Sequence, residues 1–441
     1  SGIRFVWLAP LDLSCSGYDP SDSGDKHDRR TRVPSRSILS LISLLLACAV
    51  ACLAQAGCAA RAASTAANGR LVIIGNALSA ENGEVYGRMV EQAGDGTTGV
   101  VPTASGVPEE SLPSALERID RHGGAGRSVA IDIRHDQPPE AANPKWAALM
   151  VECAGLCFTG GVQTRIVNAF RPETGDTVCH EAAWRVLSRG GFIAGTSAGA
   201  AMMCDPMIQG GTSRAALAVG VNSEEDENRG MRIGKGMGFF PFGVTDQHFL
   251  ERGRLGRLVV ALEHTGQARG YGIAENRSLD ANLATGMLEA IGGPRAVLVA
   301  DISKMQRQGD ARLGVRLTLM NSGDVMDGAT GAFTPAPGAA ALAFPGGEGE
   351  HRAEDARDDH AIPDLMRGIR SRPHGRRQHA RLGRARRHNR LRRDLLNAPR
   401  HRASAPTSRS ANRGLSRVDL RVNNRGFRTV IETNAEAPST R

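Results

Sequence analysis

The sequence predicts an α/β fold, in which a mostly parallel sheet is flanked by helices on both faces. Between residues 71 and 301, short apolar runs alternate with longer amphipathic stretches. Short apolar runs are typical of buried strands, and amphipathic stretches of helical length are typical of the helices that cover such a sheet. One apolar run ends in a glycine-flanked serine, Ser197, directly before a helical stretch. That position is where α/β sheets of this kind carry their chemistry.

The predicted elements follow one another almost in alternation. Helix starts are marked by the residues from Ser105 to Glu109 and by Pro172-Glu173-Thr174. Residues 286–291 predict an antiparallel addition to the sheet, and residues 209–238 predict a long polar excursion beside the site. Strands are expected near 71–76, 98–103, 128–134, 155–159, 191–196, 270–275 and 295–301, and helices near 81–94, 108–121, 144–152, 176–189, 198–203 and 249–264.

The run Gly195-Thr196-Ser197-Ala198-Gly199 has the layout of a nucleophile elbow. Small residues are needed there because the turn is strained and because strand and helix approach each other closely. The helix that follows contributes its N-terminal dipole, and the N–H of Ala198 is placed to hold an oxyanion. An isolated match of this kind is more often a simple turn, but the strand–turn–helix context favours Ser197 as a nucleophile.

A serine nucleophile needs a base, and His248 is the best candidate among the twelve histidines. It follows an apolar, turn-rich approach at 238–245, whereas the others lie in polar surroundings or in segments expected to lie outside the core. The base must be oriented by a third group, commonly a carboxylate. Glu275 follows the apolar run 270–274 and would face the crevice at a strand's carboxyl end. Asp205 and Asp246 are the reserve candidates for this role.

Taken together, these stretches resemble the cyanophycinase family of serine peptidases, which is related in fold to the class I glutamine amidotransferases. The resemblance covers roughly residues 69–303 and implies a flavodoxin-like sheet. It depends on four motifs that recur in the family's order. The motifs are Phe158-Thr159-Gly160-Gly161 with Gln163 and Arg165, Gly195 to Met203 with Asp205-Pro206, Asp246 to Phe249 with Arg252 to Leu258, and Gly272-Ile273 with Glu275.

The resemblance implies that Ser197 is the nucleophile, His248 its base and Glu275 the orienting acid. The family substrate is cyanophycin, a poly-aspartate backbone with arginine on each side-chain carboxylate, and the product is the β-Asp-Arg dipeptide. No cofactor or metal is implied. Such a substrate needs cations for its carboxylates and anions for its guanidinium groups. The residues expected to bind substrate are Gln163, Arg165, Gln247, Arg252, Arg254 and Arg257, and those expected around the oxyanion are Gly161 and Ala198.

Two residues depart from the family pattern near the predicted pocket. Val162 stands where an acidic or amide residue is expected, and Ala274 stands where an aspartate usually precedes Glu275. One alternative function is therefore a related hydrolase of small Asp-containing peptides. Another is a non-catalytic protein that binds a polymer or nucleic acid through a basic tail, although the intact triad argues against it. Nucleic acid is not expected as a partner, and a homodimer is compatible with the resemblance.

The positive charge of the chain lies in its C-terminal tail. Residues 351–441 contain 23 arginines, no lysine and nine acidic residues, which gives +14 against +9 for the whole chain and leaves −5 for residues 1–350. Because it lacks a sustained apolar period, the segment 346–441 is expected to be disordered, and the catalytic domain is expected at 64–345. Arginine without lysine is typical of a shifted reading frame, which we hypothesise to begin between Gly346 and Asp364 and to end near Val418.

The N-terminal part has the pattern of an export signal. Four arginines between positions 29 and 36 precede an apolar run from Ile38 to Leu53, which is typical of a secretory signal peptide. Residues 54–56 fit a signal-peptidase site and residues 45–48 fit lipidation, so 31–63 is expected to be a signal peptide or lipoprotein leader. Residues 1–30 are expected to be non-native or disordered. The catalytic domain would then be periplasmic or extracellular, with no membrane contact beyond a lipid anchor.

Overall fold

The computed structural model describes residues 67–137, 140–223, 225–341, 351–353, 413–423 and 426–430. The segments predicted at 1–30 and 31–63 lie outside these residues. The strands are β1 (Arg70–Ile74), β2 (Thr98–Val101), β3 (Ser128–Ala130), β4 (Gly155–Phe158), β5 (Phe192–Thr196), β6 (Met207–Gly211), β7 (Met231–Gly234), β8 (Val244–Asp246), β9 (Arg269–Ile273), β10 (Ser278–Asn282), β11 (Met287–Ile291), β12 (Val297–Asp301), β13 (Gln306–Gln308), β14 (Ala311–Met320), β15 (Val325–Asp327), β16 (Phe333–Thr334), β17 (Ala340–Ala341), β18 (His351–Ala353), β19 (Arg413–Asn423) and β20 (Gly426–Val430). The helices are α1 (Gly83–Ala93), α2 (Pro108–Gly123), α3 (Pro144–Glu152), α4 (Gln163–Phe170), α5 (Val178–Ser188), α6 (Ala198–Ala201), α7 (Ser213–Val219) and α8 (Leu255–Thr265), with a 3₁₀ turn at Glu140–Ala142.

The first sheet is parallel in one half and antiparallel in the other. Its order is β16-β15-β11-β10-β1-β5-β4-β2-β3, and the five strands from β1 to β3 in this order are parallel. The sub-order β3-β2-β4-β5 is that of a flavodoxin-like sheet, whose ligand crevice lies where the order reverses, between β2 and β4. The predicted fold class is confirmed, and the strands expected near 71–76, 98–103, 155–159 and 191–196 all lie in this parallel half.

Helices cover the parallel half on both faces, which explains why its strands are apolar on both sides. On one face, α1 and α2 bury Val85, Met89 and Leu112 against alternate side chains of β1, β2 and β5. On the other face, α3 and α5 bury Met150 and Val186 against the remaining alternate side chains. The core therefore lies in two layers, one on each side of the sheet.

A second sheet holds strands that the sequence assigned to the first. Its order is β18-β20-β19-β14-β12-β9-β8, in which β8 and β9 are parallel and the other neighbours are antiparallel. At its side, β13 pairs with β14, and β17 pairs in parallel with β19. The runs predicted near 270–275 and 295–301 are β9 and β12 of this sheet. The expectation of one common sheet was wrong for them, because an apolar period identifies a buried strand but not its neighbours.

Two segments have a different secondary structure from the one that the sequence predicted. The helix expected at 249–264 begins only at Leu255, because the chain first makes a turn in which the Arg252 N–H donates to the His248 carbonyl. The excursion expected at 209–238 contains the antiparallel pair β6 and β7 with α7 between them. These strands carry glycines and polar residues, so their apolar period is too weak to be seen in the sequence.

Part of the arginine-rich tail belongs to the second sheet. Strand β19 pairs with β14, and β20 pairs with β19. Val418, near which the reading frame was hypothesised to be restored, lies within β19, and β20 follows it. The alternation of apolar residues at Val418, Leu420 and Val422 is typical of a strand. The remainder of the segment 346–412, apart from β18, lies outside the described residues.

The four cysteines of the described segments, Cys153, Cys157, Cys179 and Cys204, are all free and buried. Within the same segments, no group of three or more His, Cys, Asp and Glu side chains is arranged to hold a metal ion. The helices described have neither the length nor the apolar character needed to cross a membrane.

Candidate active site

Ser197 lies at the apex of a tight turn between β5 and α6. Its φ is +52°, a left-handed conformation that is strained for a residue other than glycine, and its N–H donates to the Ile74 carbonyl at 3.1 Å. A Cβ atom on Gly195 would lie 2.2 Å from the Gly199 carbonyl oxygen, and one on Gly199 would lie 2.5 Å from the Phe158 carbonyl oxygen. The elbow therefore requires both glycines, as the sequence predicted.

The His248 ring lies between Ser197 and Glu275. Its Nε2 is 3.1 Å from Ser197 Oγ, and its Nδ1 is 2.5 Å from Glu275 Oε1. The residue follows β8 with a φ of +47°, is 4% exposed, and is held by a hydrogen bond from its N–H to the Gly75 carbonyl. An imidazole that donates from Nδ1 to a carboxylate has Nε2 free to accept the serine proton.

The surroundings of His248 favour its neutral form. Burial lowers the pKa of His248 below its ordinary value of 6.5, and the positive charges of Arg252 and Arg254 lower it further. The hydrogen bond with Glu275 acts in the opposite direction and raises the pKa of the ring, but it does not outweigh the burial. The neutral ring, which can accept a proton, therefore predominates at pH 7.

Glu275 is the carboxylate that contacts the histidine. It follows β9, its side chain is 32% exposed, and its backbone N–H donates to Glu251 Oε2 at 3.1 Å. The two reserve candidates are paired elsewhere: Asp205 accepts from Arg171 at 2.7 Å, and Asp246 accepts from Arg257. Of the three candidate carboxylates, Glu275 is therefore the one that contacts His248.

Arg257 lies in the interior rather than at the mouth of the site. Its Nε donates to Asp246 Oδ2 at 2.8 Å, its Nη2 lies 2.5 Å from Asp246 Oδ1, and its Nη1 donates to the Gly211 carbonyl at 2.7 Å. Both Arg257 and Asp246 are almost fully buried. Arg257 was predicted to bind substrate, but this geometry points to a positioning role, since it fixes Asp246 two residues before His248.

Arg254 supports the same segment. Its Nη1 donates to the Gln247 carbonyl at 2.7 Å and lies 3.6 Å from Asp246 Oδ1. Burial, followed by the neighbouring charge of Arg257, lowers the pKa of Arg254 to about 9. Arg254 therefore remains a cation at neutral pH, and its charge bears on His248.

Arg252 and Gln247 keep polar atoms that have no partner within the described segments. Arg252 is exposed and its guanidinium forms no ion pair there, although its charge reaches His248. Gln247 is buried, and its Oε1 accepts no hydrogen bond from the residues that the structure describes. Arg252 can therefore bind a polar ligand without losing a contact inside the protein, whereas Gln247 Oε1 is an unsatisfied acceptor in the interior.

Gln163 and Arg165 lie on α4, directly after the glycine pair. Gln163 Nε2 donates to the carbonyls of Ile208 and Gln209, each at 3.0 Å, and so ties α4 to β6. Arg165 is half-buried, and its Nη1 donates to the Ala104 carbonyl at 3.2 Å. Both residues brace the segments around the switch between β2 and β4.

Gly160 and Gly161 pass directly beside the nucleophile. A Cβ on Gly160 would lie 3.3 Å from Ser197 Cβ, and one on Gly161, whose φ is +143°, would lie 1.9 Å from the Ala104 carbonyl oxygen. Across the described residues, neither the N–H of Gly161 nor that of Ala198 donates to a backbone carbonyl. These are the two N–H groups that the sequence predicted for the oxyanion.

Two residues that support the site were not predicted. Glu251 holds the N–H of Glu275, and the carbonyl of Asn76 accepts from Asn276 N–H at 2.7 Å. Asn76 has a φ of +122° and follows the parallel strand β1 closely. A polar residue just after a parallel strand was the available signal for Asn76, whereas no feature of the sequence singled out Glu251.

Comparisons with curated proteins identify several cyanophycinases, each about 30% identical to this chain. The cyanophycinase of Nostoc sp. is 30% identical over 260 residues, which is 55% of this chain and 80% of the relative. The cyanophycinase of Trichormus variabilis is 29% identical over 260 residues with the same coverage, and that of Synechococcus elongatus is 30% identical over 208 residues, or 45% of this chain and 60% of the relative. No protein-family model matches the chain.

Among solved structures, a peptidase from an acI-B1 actinobacterium aligns with a TM-score of 0.42 and 15% identity, covering 62% of this chain and 96% of that one. The identification depends instead on the curated relatives, because this chain spans 80% of the Nostoc protein at 30% identity. Family membership makes the protein a hydrolase rather than a non-catalytic binder. The chain belongs to the cyanophycinase family of peptidases.

Proposed function

We propose that the protein is a serine exopeptidase that degrades cyanophycin and releases β-Asp-Arg dipeptides. The observation that carries the proposal is the chain of contacts from Ser197 Oγ through the His248 ring to Glu275, at 3.1 and 2.5 Å. A serine, an imidazole and a carboxylate in this order are the elements of acyl transfer by a serine nucleophile. Membership of the cyanophycinase family supports the choice of polymer.

In the proposed reaction, His248 Nε2 takes the proton of Ser197 as Oγ attacks the carbonyl carbon of a backbone amide. Glu275 holds the Nδ1 proton and stabilises the imidazolium that forms. The N–H groups of Ala198 and Gly161 stabilise the oxyanion. His248 then gives its proton to the leaving amine, and a water molecule activated by the same ring hydrolyses the ester.

Arg252 is the cation best placed for a substrate carboxylate. It is exposed, lies four residues after His248 on the turn that carries the base, and has no ion-pair partner in the described part of the chain. Arg254 and Arg257 act behind it, since their guanidinium groups hold Asp246 and Gln247 in place. In this scheme, one arginine meets the polymer and two arginines position the segment that includes the base.

A second candidate substrate is a small Asp-containing peptide. The observation that favours it is Val162, which is 44% exposed beside Gly161. An apolar side chain at that position offers no hydrogen bond to a guanidinium group of the polymer. Loss of such a contact would weaken discrimination for the arginine arm while leaving the Ser–His–Glu chemistry unchanged.

The test is release of soluble dipeptide from purified cyanophycin by the full chain. We expect β-Asp-Arg from the parent protein and from Ser188→Ala, whose hydroxyl only bonds the Arg185 carbonyl at the end of α5, and none from Ser197→Ala. Cleavage of a small Asp-containing peptide but not of cyanophycin would favour the second substrate. Equal activity of parent and Ser197→Ala would contradict both.

We further propose, from the leader pattern at 31–63, that the enzyme is exported and acts outside the cytoplasm. From the resemblance to the family, we also propose that it functions as a homodimer. Detection of the enzyme in the periplasmic or extracellular fraction and a dimer mass in solution are the expected results. Retention in the cytoplasm or a monomer mass would contradict the respective part.

A further inference from the structure

We propose that a cavity beside Ser197 binds a free carboxylate of the substrate, an inference that builds on the proposed function. The cavity has a volume of about 280 Å³ and lies between helices α1 and α2 and the carboxyl ends of β1, β5 and β4. Gly160, which lies beside Ser197 in space, and Thr196, which precedes it in sequence, form part of the cavity wall. A group bound there would be separated from Ser197 only by these two wall residues.

The sheet places a row of polar residues along this cavity. Successive side chains of a strand point to opposite faces, so residues two apart share a face. Strands β1, β5 and β4 are neighbours, with Ile74 opposite Thr196 and Phe158 opposite Gly195. Each of these strands has an apolar residue on the face covered by α1 and α2, followed two positions later by a polar one. The pairs are Ile74 and Asn76, Ala194 and Thr196, and Cys157 and Thr159.

Two hydroxyl groups of this cavity have no partner. Thr159 Oγ1 and Ser111 Oγ are buried, and neither makes a hydrogen bond within the part of the chain that the structure describes. Buried polar groups in native proteins are almost always hydrogen-bonded, and an exception needs an explanation. Ser111 lies on α2 and Thr159 just after β4, so the cavity has one of these residues in its helix layer and the other on its sheet side. A polar ligand in the cavity would satisfy both.

The charges of the lining select an anion. The lining includes one cation, Arg118, and no aspartate or glutamate. Arg118 Nη1 donates to the Leu78 carbonyl at 3.3 Å and forms no ion pair with any described residue, whereas the nearby Arg121 pairs with Glu81 and Glu117. A guanidinium ligand would find no counter-charge here. A carboxylate would find hydroxyl donors and a cation, which is the environment that favours its charged form.

Cyanophycin offers such a group in two places. Each arginine arm retains its own carboxylate, and the backbone ends in another. The cavity could accept either carboxylate, so the test substrates must block one of the two at a time. A short β-Asp-Arg oligomer can be made with free carboxylates, with an amidated backbone terminus, or with argininamide arms.

The first experiment compares these oligomers on the parent full chain, Thr159→Val, Thr159→Ser and the control Thr265→Val. Thr265 donates only to carbonyls of its own helix α8. We expect Thr159→Val to raise KM for the free oligomer about 10-fold with kcat changed less than about twofold, as for the loss of a hydrogen bond to a charged group. Thr159→Ser should restore the parent KM, and Thr265→Val should not change it.

On the parent, amidation of the bound carboxylate should raise KM by a similar factor. Whichever amidated oligomer shows the larger rise in KM identifies the bound carboxylate as that of the backbone terminus or that of an arginine. On Thr159→Val, amidation should raise KM by a smaller factor than on the parent, because one of the donors to the carboxylate is gone while Arg118 remains. Retention of the parent's discrimination by Thr159→Val would overturn the proposal. So would an unchanged KM for the free oligomer with Thr159→Val.

The second experiment separates this proposal from the proposed function. A fluorophosphonate labels an activated serine, and its rate is measured with sodium succinate and with neutral succinamide. We expect succinate, but not succinamide, to slow labelling of the parent at Ser197. We expect succinate to slow Thr159→Val by a clearly smaller factor, measured against that variant's own rate without succinate. Protection that is undiminished in Thr159→Val, or that never occurs, overturns the carboxylate site even if dipeptide is released. Protection without dipeptide release supports the site and contradicts the proposed function.

Discussion

The two halves of the candidate active site are built in different ways. The proposed nucleophile, Ser197, lies in one continuous segment of the first sheet, where β5, Ser197 and α6 follow one another directly. The proposed base and orienting acid lie in the second sheet, where His248 and Glu275 follow β8 and β9 and are 27 residues apart. The nucleophile half is therefore a local structure, whereas the base half exists only when distant segments have packed.

Different physical effects hold the two halves in place. The elbow depends on backbone sterics, since side chains on Gly195 or Gly199 would overlap carbonyl oxygens. The base depends on buried charges, because the Arg257–Asp246 pair fixes the residues before His248. Removal of one partner from such a pair leaves an uncompensated charge in the interior. The comparison predicts that variants of the elbow act on chemistry, and that variants behind the base act on stability as well.

The largest effect is expected from Ser197→Ala, which removes the nucleophile without disturbing the turn. We expect kcat/KM on cyanophycin to fall by about 10⁴-fold or more, with a Tm close to that of the parent, because Ser197 Oγ is hydrogen-bonded to His248 alone among the residues that the structure describes. Dipeptide release and a thermal melt measure the two quantities. A variant that keeps a tenth of the parent's activity would remove Ser197 from the mechanism.

Glu275→Gln should have the next largest effect. An amide cannot stabilise the imidazolium or enforce its tautomer, so we expect kcat to fall by about 10²–10⁴-fold. The hydrogen bond of Glu275 raises the pKa of His248, and its loss should therefore move the acid limb of the kcat/KM profile to lower pH. The control is Glu181→Gln, an exposed glutamate 3.8 Å from Arg185. An acid limb that moved to higher pH would contradict the assigned contact.

Asp246→Asn tests the support behind the base. We expect it to lower the free energy of unfolding by about 3–5 kcal/mol, because Arg257 keeps its charge in the interior without a counter-ion. Activity should fall together with stability, since His248 is two residues away. The same control, Glu181→Gln, should change the unfolding free energy by about 1 kcal/mol or less. Denaturant unfolding measures the free energy of unfolding of both variants. Equal losses in Asp246→Asn and Glu181→Gln would contradict the role of the buried Arg257–Asp246 pair.

The smallest effect is expected from Arg252→Gln and concerns the pH profile. The charge of Arg252 lowers the pKa of His248, so its removal should raise that pKa and move the acid limb of kcat/KM to higher pH. This is the opposite direction from Glu275→Gln. KM for a carboxylate substrate should rise as well, because Arg252 is the exposed cation beside the base. A profile that moved in the same direction as that of Glu275→Gln would refute this electrostatic account.

The sequence allowed the elbow to be predicted because all of its determinants are local. Gly195, Ser197 and Gly199 lie within five residues, and the apolar run before them is a strand in any α/β arrangement. His248 and Glu275 were found by their positions after apolar runs, and the geometry brings both of them to Ser197 as expected.

The rest depends on tertiary packing that no local pattern records. Arg257 was predicted to bind substrate, because arginines on an amphipathic helix usually face solvent or a ligand, but it is buried against Asp246 eleven positions earlier. The division of the strands into two sheets was missed for a similar reason, since β9 and β12 have the same apolar period as β5. Thr159 and Ser111 were not seen as a pair, because only the packing of α2 on the first sheet brings them to one cavity.

Fluorophosphonate labelling of the full chain, followed by peptide mapping, tests the claim that Ser197 is a nucleophile activated by His248. We expect one adduct on the parent, located on Ser197, and labelling at least about 10²-fold slower in His248→Asn, since asparagine tolerates the left-handed backbone of that position. An adduct on a different serine, or equal labelling rates for the parent and His248→Asn, would contradict the claim.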